Sequence, residues 1–288
     1  MVKMKMKAHE KFFLWRDESL RTRSSRPSLT PFPCGLPGVR PAVLVIPGGG
    51  YGTVCESTEG TPIARKFNEL GYHAFVLDYR TAPNRWPEPQ LDAMRAVKLL
   101  RAGAGSLRID PSRIAVCGFS AGAHLAGSLG ILCGGLDASA GDEADGFSHL
   151  PDVMILCYGV LSFTPWSHLG TQANLLGDDW ASRAGEYSLP EHVDDHTPPA
   201  FLMHTVRDQA VPYRNSMAFA DAMAAHGRPC EMMLCCWGDH GMLLGRDTLD
   251  VGQWPEAAHW FMESLVLESA DEGFRERYTN AYQSRHLG

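Results

Sequence analysis

The feature that most constrains this chain is an apolar run, Ile114 to Cys117, that leads directly into Gly118-Phe119-Ser120-Ala121-Gly122. Small residues that are compatible with a helix follow, so the stretch predicts a strand, a tight turn and a helix. Glycines two residues before and after the serine avoid collisions between a Cβ atom and the neighbouring strand and helix. The pattern predicts that Ser120 lies exposed at a helix N-terminus, where the helix dipole favours developing negative charge.

Further apolar runs on both sides of this motif predict that strands and helices alternate. Buried strands are predicted at 42–46, 73–77, 153–158, 199–205 and 231–237, and amphipathic helices at 62–70, 91–100, 216–225 and 254–267. The chain before Pro41 is rich in Arg, Ser and Pro, which predicts connecting segments apart from an edge strand within 12–15. The alternation indicates an α/β fold with a mostly parallel, doubly wound sheet and helices on both faces.

A chain of 288 residues with this pattern is predicted to form one domain, 1–288. The core of that domain is expected to span about 41–267. The segment from about 161 to 196 interrupts the alternation after the sixth strand, where lids are inserted in such folds. We therefore expect a short, lid-like insertion there.

Composition excludes several classes of partner. The formal net charge is −7, and Lys and Arg are not clustered, which predicts no nucleic-acid partner and no membrane partner. No apolar run has the length of a signal peptide or a membrane span. The eight cysteines show no metal-ligand spacing, and Cys117 and Cys157 fall in predicted buried strands. We expect a soluble, cytoplasmic protein with reduced thiols and no metal or cofactor.

The residues that could activate Ser120 must follow strands at the same edge of the sheet. A serine hydroxyl needs an imidazole to accept its proton, and the imidazole needs a carboxylate on its other nitrogen. His240 follows the last predicted strand and Asp208 the one before it, in the chain order serine, acid, histidine. We predict that Ser120 is the nucleophile, His240 the base and Asp208 the acid.

Other histidines and aspartates are assigned structural roles. His73 and His204 lie within apolar runs and are predicted to be core histidines, and His124 is expected to pack on the helix after Ser120. Asp239 would have to fold back on its own neighbour to act as the acid. Asp194 and Asp195 precede a strand rather than follow one and are predicted to be solvated loop charges.

The glycine-rich stretch after the first buried strand, Pro47-Gly48-Gly49-Gly50-Tyr51-Gly52, predicts an oxyanion hole. Such a hole needs backbone N–H groups from an early loop and from the residue after the nucleophile, here Gly49, Gly50 and Ala121. A phosphate-binding loop is the alternative, but neither Gly-x-Gly-x-x-Gly nor Gly-Lys-Ser/Thr is present at the junction.

Four motifs in order carry a family resemblance: 47–51, 118–126, 205–212 and 238–241. Together they resemble the α/β-hydrolase superfamily, and more narrowly its acetyl-xylan-esterase-like or carbohydrate acetyl esterase branch, which is related to hormone-sensitive-lipase-type esterases. The resemblance implies the same triad and oxyanion donors. Pro47 stands where lipase-like relatives have histidine, which favours the sugar-esterase branch, and Ala123 replaces a usual glycine.

The activity that this resemblance implies is a cofactor-free serine carboxylic ester hydrolase. It would remove small acyl groups, in particular acetyl, from a carbohydrate-like substrate such as an acetylated oligosaccharide, through an acyl-enzyme. An arylformamidase or peptidase-like amide hydrolase shares the same parts. A non-catalytic α/β hydrolase that binds a small molecule is the alternative from another class.

Aromatic and histidine side chains in and near the insertion are candidates for sugar contacts, because an aromatic face with a polar edge suits a sugar ring. The candidates are Tyr51, Trp86, Trp166, His168 and Trp180. The alternative is that these aromatic residues anchor the insertion on the sheet.

Overall fold

The computed structural model describes residues 6–166 and 168–270. Within them, eight strands form one sheet: β1 (Phe12–Phe13), β2 (Ser28–Phe32), β3 (Arg40–Ile46), β4 (His73–Asp78), β5 (Ile109–Phe119), β6 (Val153–Cys157), β7 (Ala200–Thr205) and β8 (Cys230–Cys235). The α-helices are α1 (Thr61–Glu69), α2 (Glu88–Ala102), α3 (Ala104–Leu107), α4 (Ala121–Ile131), α5 (Leu169–Leu176), α6 (Trp180–Arg183), α7 (Arg214–Ala225) and α8 (Trp254–Ala270).

The sheet is antiparallel at one edge and parallel elsewhere. The strand order is β1-β2-β4-β3-β5-β6-β7-β8, with antiparallel pairing of β1 with β2 and of β2 with β4. All pairs from β4 across to β8 are parallel. The mostly parallel sheet confirms the predicted α/β-hydrolase fold. Because β3, β5, β7 and β8 run parallel, their carboxyl ends lie along the same side of the sheet.

Apolar side chains on the two faces of the sheet form two separate core clusters. In β3, Leu44 and Ile46 face one cluster, while Val43 and Val45 face the other. Helices α2, α4 and α7 pack on the first face, and α1 and α8 pack on the second. Both faces are covered, which explains why the central strands are almost continuously apolar.

The prediction of connecting segments before Pro41 is wrong for 28–32, because these residues form the buried strand β2. Its five residues pair with Ala74 to Asp78 of β4. Pro31 is tolerated because it lies beyond Ser28 and Leu29, the two residues that pair with β1, and on that side it needs only its carbonyl, which accepts the His9 N–H at 3.1 Å. The edge strand predicted within 12–15 is present as the two-residue β1.

The segment 161–196 consists of short helical pieces attached to the rest of the molecule. It contains α5, α6 and two 3₁₀ turns, Ala184–Tyr187 and Leu189–His192. Its large apolar side chains are mostly buried in the first core cluster: Leu161, Phe163, Leu175, Leu176, Tyr187, Leu189 and Val193. The Trp86 N–H donates to the Leu175 carbonyl at 2.8 Å and ties the segment to the loop before α2.

Two further observations concern the described part of the chain. None of its helices combines the length and the apolar character that crossing a bilayer requires. The eight cysteines are free thiols, and in the adjacent pair Cys235 is buried while Cys236 is exposed.

Candidate active site

Ser120 occupies a sharp turn between β5 and α4. Its backbone is left-handed, with φ 53° and ψ −119°, a conformation that is strained for a residue with a side chain. A Cβ atom at Gly118 would lie 2.6 Å from the Ala123 Cα, and one at Gly122 would lie 2.5 Å from the Pro47 carbonyl oxygen. Both contacts are too short, so the turn requires glycine at these two positions.

His240 connects this serine to the loop after β7. The distance between His240 Nε2 and Ser120 Oγ is 2.9 Å, and that between His240 Nδ1 and Asp208 Oδ2 is 2.7 Å. The ring of Tyr158 meets the imidazole edge to face, with centroids 5.1 Å apart. The structure therefore brings together the three residues predicted to act on an ester.

Asp208 is held in place as an acceptor of several hydrogen bonds. Its Oδ1 accepts the N–H groups of Ala210 at 2.9 Å and Val211 at 2.7 Å, and His204 Nε2 lies 3.2 Å from its Oδ2. Burial alone would raise the pKa of the Asp208 carboxyl. Hydrogen bonds from His204, His240 and Val211 outweigh burial and lower this pKa below its usual value. An ionised Asp208 accepts the Nδ1–H of His240 and leaves Nε2 free to accept the serine proton.

The other predicted loop aspartates lie elsewhere in the hydrogen-bond network. Asp239 Oδ1 accepts the N–H groups of Gln209 at 3.0 Å and of His240 at 2.8 Å, so it joins the two loops. Asp194 caps a local turn, and Asp195 pairs with His226 at 2.8 Å.

The loop after β3 turns beside Ser120. Gly49 has φ 125°, and its carbonyl oxygen accepts the N–H groups of Gly52 at 3.0 Å and Thr53 at 3.1 Å. The Gly50 carbonyl accepts a bond of 2.8 Å from Asn174 Nδ2 of α5. Among the described residues, no acceptor takes up the N–H groups of Gly49, Gly50 or Ala121. These are the three groups predicted to form the oxyanion hole.

The prediction that the Tyr51 side chain contacts a sugar is wrong. Its side chain is fully buried, and its hydroxyl lies 2.9 Å from His124 Nδ1. Because Tyr51 has a left-handed backbone, φ 55°, its ring is directed into the core, where it packs edge to face on Tyr79.

The remaining aromatic candidates are half-buried. Trp86 packs on Tyr187 with ring centroids 4.8 Å apart, and both Trp86 and Trp180 contact the first core cluster. These contacts favour the anchoring interpretation for the two residues. The Trp166 backbone carbonyl accepts a bond of 3.0 Å from Asn215 Nδ2.

His168 lies at the N-terminus of α5, near the triad. Its Nδ1 accepts the Thr171 N–H at 3.3 Å and lies 2.8 Å from the Thr171 hydroxyl. Burial lowers the pKa of the His168 imidazole, the charge of His240 adds to this effect, and Asp208 opposes it. His168 is therefore within electrostatic range of both residues.

His124 joins three segments around the site. Its Nδ1 accepts the Tyr51 hydroxyl, its Nε2 donates to the Tyr187 carbonyl at 2.8 Å, and its ring stacks on Phe163. Burial lowers the pKa of His124 to about 3, so the imidazole is neutral. His73 and His204 are buried as well, and the contact between His204 and Asp208 is one that the sequence analysis missed.

The sequence analysis also missed Glu59, a second carboxyl group near Ser120. Glu59 lies in a π-helical turn, Glu56–Gly60, and its Oε2 accepts the Gly48 N–H at 2.6 Å. It follows the end of the glycine-rich stretch by seven positions, within a polar stretch, and no local pattern marks it. The residues described in the structure contain no group of three or more His, Cys, Asp or Glu side chains arranged to hold a metal ion.

The fold defines the chain as an α/β hydrolase, with Ser120 on the sharp turn between β5 and α4. A family model described as BD-FAE matches residues 33–223, and the chain belongs to the BD-FAE family.

Relatives with assigned activities are similar over most of this chain. It is 36% identical over 218 residues to endo-1,4-beta-xylanase B of Butyrivibrio fibrisolvens, a match that covers 74% of this chain and 34% of that protein. It is 29% identical over 226 residues to the acetylxylan esterase of Xylanibacter ruminicola, covering 74% and 45%. The chain thus spans only about a third to a half of the length of these relatives.

A solved structure is similar over nearly its whole length. The acetyl ester-xyloside bifunctional hydrolase of Caldicellulosiruptor lactoaceticus superposes with a TM-score of 0.83 and 37% identity, covering 90% of this chain and 97% of that chain.

Proposed function

We propose that this chain is a serine carboxylic ester hydrolase that removes small acyl groups, in particular acetyl, from a carbohydrate-like alcohol. The observation that carries the proposal is the hydrogen-bonded series Ser120, His240 and Asp208 at one edge of the sheet. The names of an acetylxylan esterase and an acetyl ester-xyloside hydrolase among the relatives support the acyl group and the substrate class.

In the first half of the reaction, His240 Nε2 takes the Ser120 proton as Oγ attacks the ester carbonyl carbon. The C=O electron pair moves onto oxygen, and the N–H groups of Gly49, Gly50 and Ala121 stabilise this oxyanion. The tetrahedral intermediate collapses, the C–O bond to the alcohol breaks, and His240 donates its proton to the leaving oxygen. The acyl group stays on Ser120.

In the second half, His240 accepts a proton from water as the water oxygen attacks the acyl-enzyme carbonyl. A second tetrahedral intermediate forms and collapses, and the Ser120 oxygen leaves and recovers its proton from His240. The products are a carboxylic acid and free enzyme, so the reaction consumes one water molecule. Asp208 remains ionised and stabilises the imidazolium in both halves.

The segment 161–196 supports a preference for short acyl groups. A long acyl chain needs a broad apolar surface, but the large aliphatic side chains of this segment are buried in the core, except Leu169, which is 57% exposed. A methylene that stays in water gains none of the about 0.8 kcal/mol that burial would supply, and one that is forced into a filled pocket costs binding free energy. Turnover should therefore fall as the acyl chain lengthens.

For the alcohol side of the ester, we propose contacts from Trp166 and His168. Trp166 is half-buried, and one ring edge of a tryptophan can donate a hydrogen bond while its face packs on a sugar ring. The Nδ1 of His168 accepts the Thr171 N–H, so a neutral ring carries its proton on Nε2. That group can donate to a substrate hydroxyl.

A substrate panel tests the function. We expect kcat/KM to fall from p-nitrophenyl acetate through butyrate to octanoate, and we expect acetate release from acetylated xylo-oligosaccharides. Ser120→Ala is the matched control for nonenzymatic hydrolysis. A series that rises to octanoate would contradict the small-acyl proposal, and an aryl formamide turned over faster than any ester would favour the amide hydrolase.

A further inference from the structure

A buried carboxylate lies against the reacting residues and has no part in the mechanism above. Glu59 is 6% exposed. Its Oε2 accepts the Gly48 N–H at 2.6 Å, and its Oε1 accepts the Tyr158 hydroxyl at 3.0 Å. An ionised carboxylate can accept both of these hydrogen bonds at once.

Gly48 links this carboxylate to the nucleophile. A Cβ atom at Gly48 would lie 2.9 Å from Glu59 Oε2 and 2.9 Å from Ser120 Cβ, so the Gly48 backbone is packed between them. Gly48 also directly precedes the two glycines proposed as oxyanion donors. A hydrogen bond that fixes Gly48 therefore fixes the start of the oxyanion loop relative to Ser120.

Tyr158 links the same carboxylate to the base. Its ring meets His240 edge to face at 5.1 Å, and its hydroxyl donates to Glu59. Burial raises the pKa of the Glu59 carboxyl, while its two hydrogen bonds and its attraction to His240 oppose that rise. The negative charge is thus within electrostatic range of the imidazole.

The surroundings of the two groups contain few charges. Among the described residues, the titratable groups that interact with Glu59 are Cys55, Tyr79, Cys157, Tyr158 and His240. Those that interact with His240 are Glu59, His168, Asp208 and Asp239. No Lys or Arg is among the groups that act on the pKa of Glu59. Burying a carboxylate without a permanent cation costs stability, and such an arrangement is typical of functional sites.

We propose that Glu59 is a positioning residue that fixes the oxyanion loop through Gly48 and whose charge, with that of Asp208, stabilises the imidazolium formed on His240. This inference rests on the ester hydrolase function proposed above. Glu59 acts through Gly48 and His240 and does not touch the substrate.

The test compares Glu59→Gln, which keeps the shape but removes the charge, with Glu59→Asp, which keeps the charge but shortens the reach. With p-nitrophenyl acetate, kcat of Glu59→Gln should fall about 10- to 100-fold, with KM changed less than about twofold. Loss of a negative charge makes the imidazolium less favourable. The acidic limb of the pH–rate profile should therefore move to lower pH, by about 0.5 to 1 unit.

Two comparisons complete the experiment. Glu59→Asp should lower kcat but keep the acidic limb at the wild-type pH. Glu56→Gln makes the same chemical change on the same π-helical turn and should leave both quantities unchanged, because no contact joins Glu56 to Gly48 or Tyr158 in the described structure. Thermal unfolding checks that each variant is folded.

An unchanged kcat in folded Glu59→Gln would overturn the proposal, as would a lower kcat with an unmoved acidic limb. If Glu59→Gln does not fold, Tyr158→Phe decides, because losing the hydroxyl that restrains the carboxylate must lower kcat. Wild-type turnover in the same assay separates the two proposals. Its absence overturns both, whereas normal wild-type turnover with an unaffected Glu59→Gln overturns only the role of Glu59.

Discussion

Replacing Gly122 by alanine should lower both stability and kcat, by amounts that follow from how closely the new Cβ approaches the backbone at the end of β3. The backbone of Gly122 is helical, so alanine is compatible with its φ and the effect is steric. The new Cβ would lie 2.5 Å from the Pro47 carbonyl oxygen and closer still to the Ile46 carbonyl oxygen, whereas ordinary contacts begin at 3.4 Å, so the shortfall is at least 0.9 Å. To relieve it, the N-terminus of α4 must move away from the loop that follows β3.

The cost of that displacement can be given for rate and for stability. A shift of about 1 Å in a reacting group costs about 100-fold in rate, so kcat should fall at least about 100-fold. Overpacking costs about 1–3 kcal/mol of stability. Because the new Cβ is attached to backbone and meets backbone, which cannot yield as a side chain can, Gly122→Ala should cost about 3 kcal/mol. At about 2 °C per kcal/mol for a large domain, Tm should fall by about 6 °C.

Esterase kinetics and calorimetry on purified protein measure both quantities. Gly105→Ala is the matched control, since Gly105 is an exposed residue of α3 whose new Cβ would meet nothing within 4 Å. It should leave kcat unchanged and raise stability by about 0.5 kcal/mol. A folded Gly122→Ala protein with wild-type Tm and kcat within about threefold of wild type would refute the steric argument.

Three further predictions concern the nucleophile, a buried histidine and metals. Ser120→Ala should lower kcat by about 10⁴- to 10⁶-fold with the fold intact, and only the wild type should gain the mass of a fluorophosphonate label; labelling of the variant would contradict the assignment of the nucleophile. Because the pKa of His124 is about 3 in the folded protein and about 6.5 when unfolded, the unfolded chain binds a proton that the folded chain does not. The free energy of unfolding should therefore decrease as the pH is lowered, by about 2 kcal/mol between pH 7.5 and pH 5 from this group. Urea titrations should show a smaller pH dependence of this free energy for His124→Gln than for the wild type. An equal pH dependence in the two proteins would count against the argument. Prolonged EDTA treatment should leave kcat unchanged, and a loss that a divalent ion restores would contradict a metal-free mechanism.

Local patterns in the sequence predict the parts of this molecule whose geometry is local. The glycines around Ser120 are required by contacts at a single turn, and Asp208 and His240 were assigned because each follows a strand. The sequence fails where non-local contacts decide the outcome. Tyr51 lies beside the expected loop, but its ring is turned into the core by a left-handed backbone and a bond to His124.

Two other failures have the same physical origin. The strand β2 contains a proline and is only five residues long, and it forms because β4 offers partners 42 to 50 positions away. Glu59 contacts Gly48 and Tyr158, which are 11 and 99 positions distant, so no spacing along the chain reveals the contacts. Such residues become visible only when the sheet has brought their segments together.

The connection of β5, β7 and β8 through one series of hydrogen bonds has a consequence for folding. His240 lies 120 positions from Ser120 and 32 from Asp208, so the three side chains meet only after the parallel strands have docked in register. Parallel sheets dominated by such distant pairings fold slowly, whereas helices form early. A refolding chain should therefore recover its helical circular dichroism before it hydrolyses any ester. The time at which turnover returns would therefore report when β8 docks at the edge of the sheet. Spectroscopy of secondary structure reports this late event only weakly.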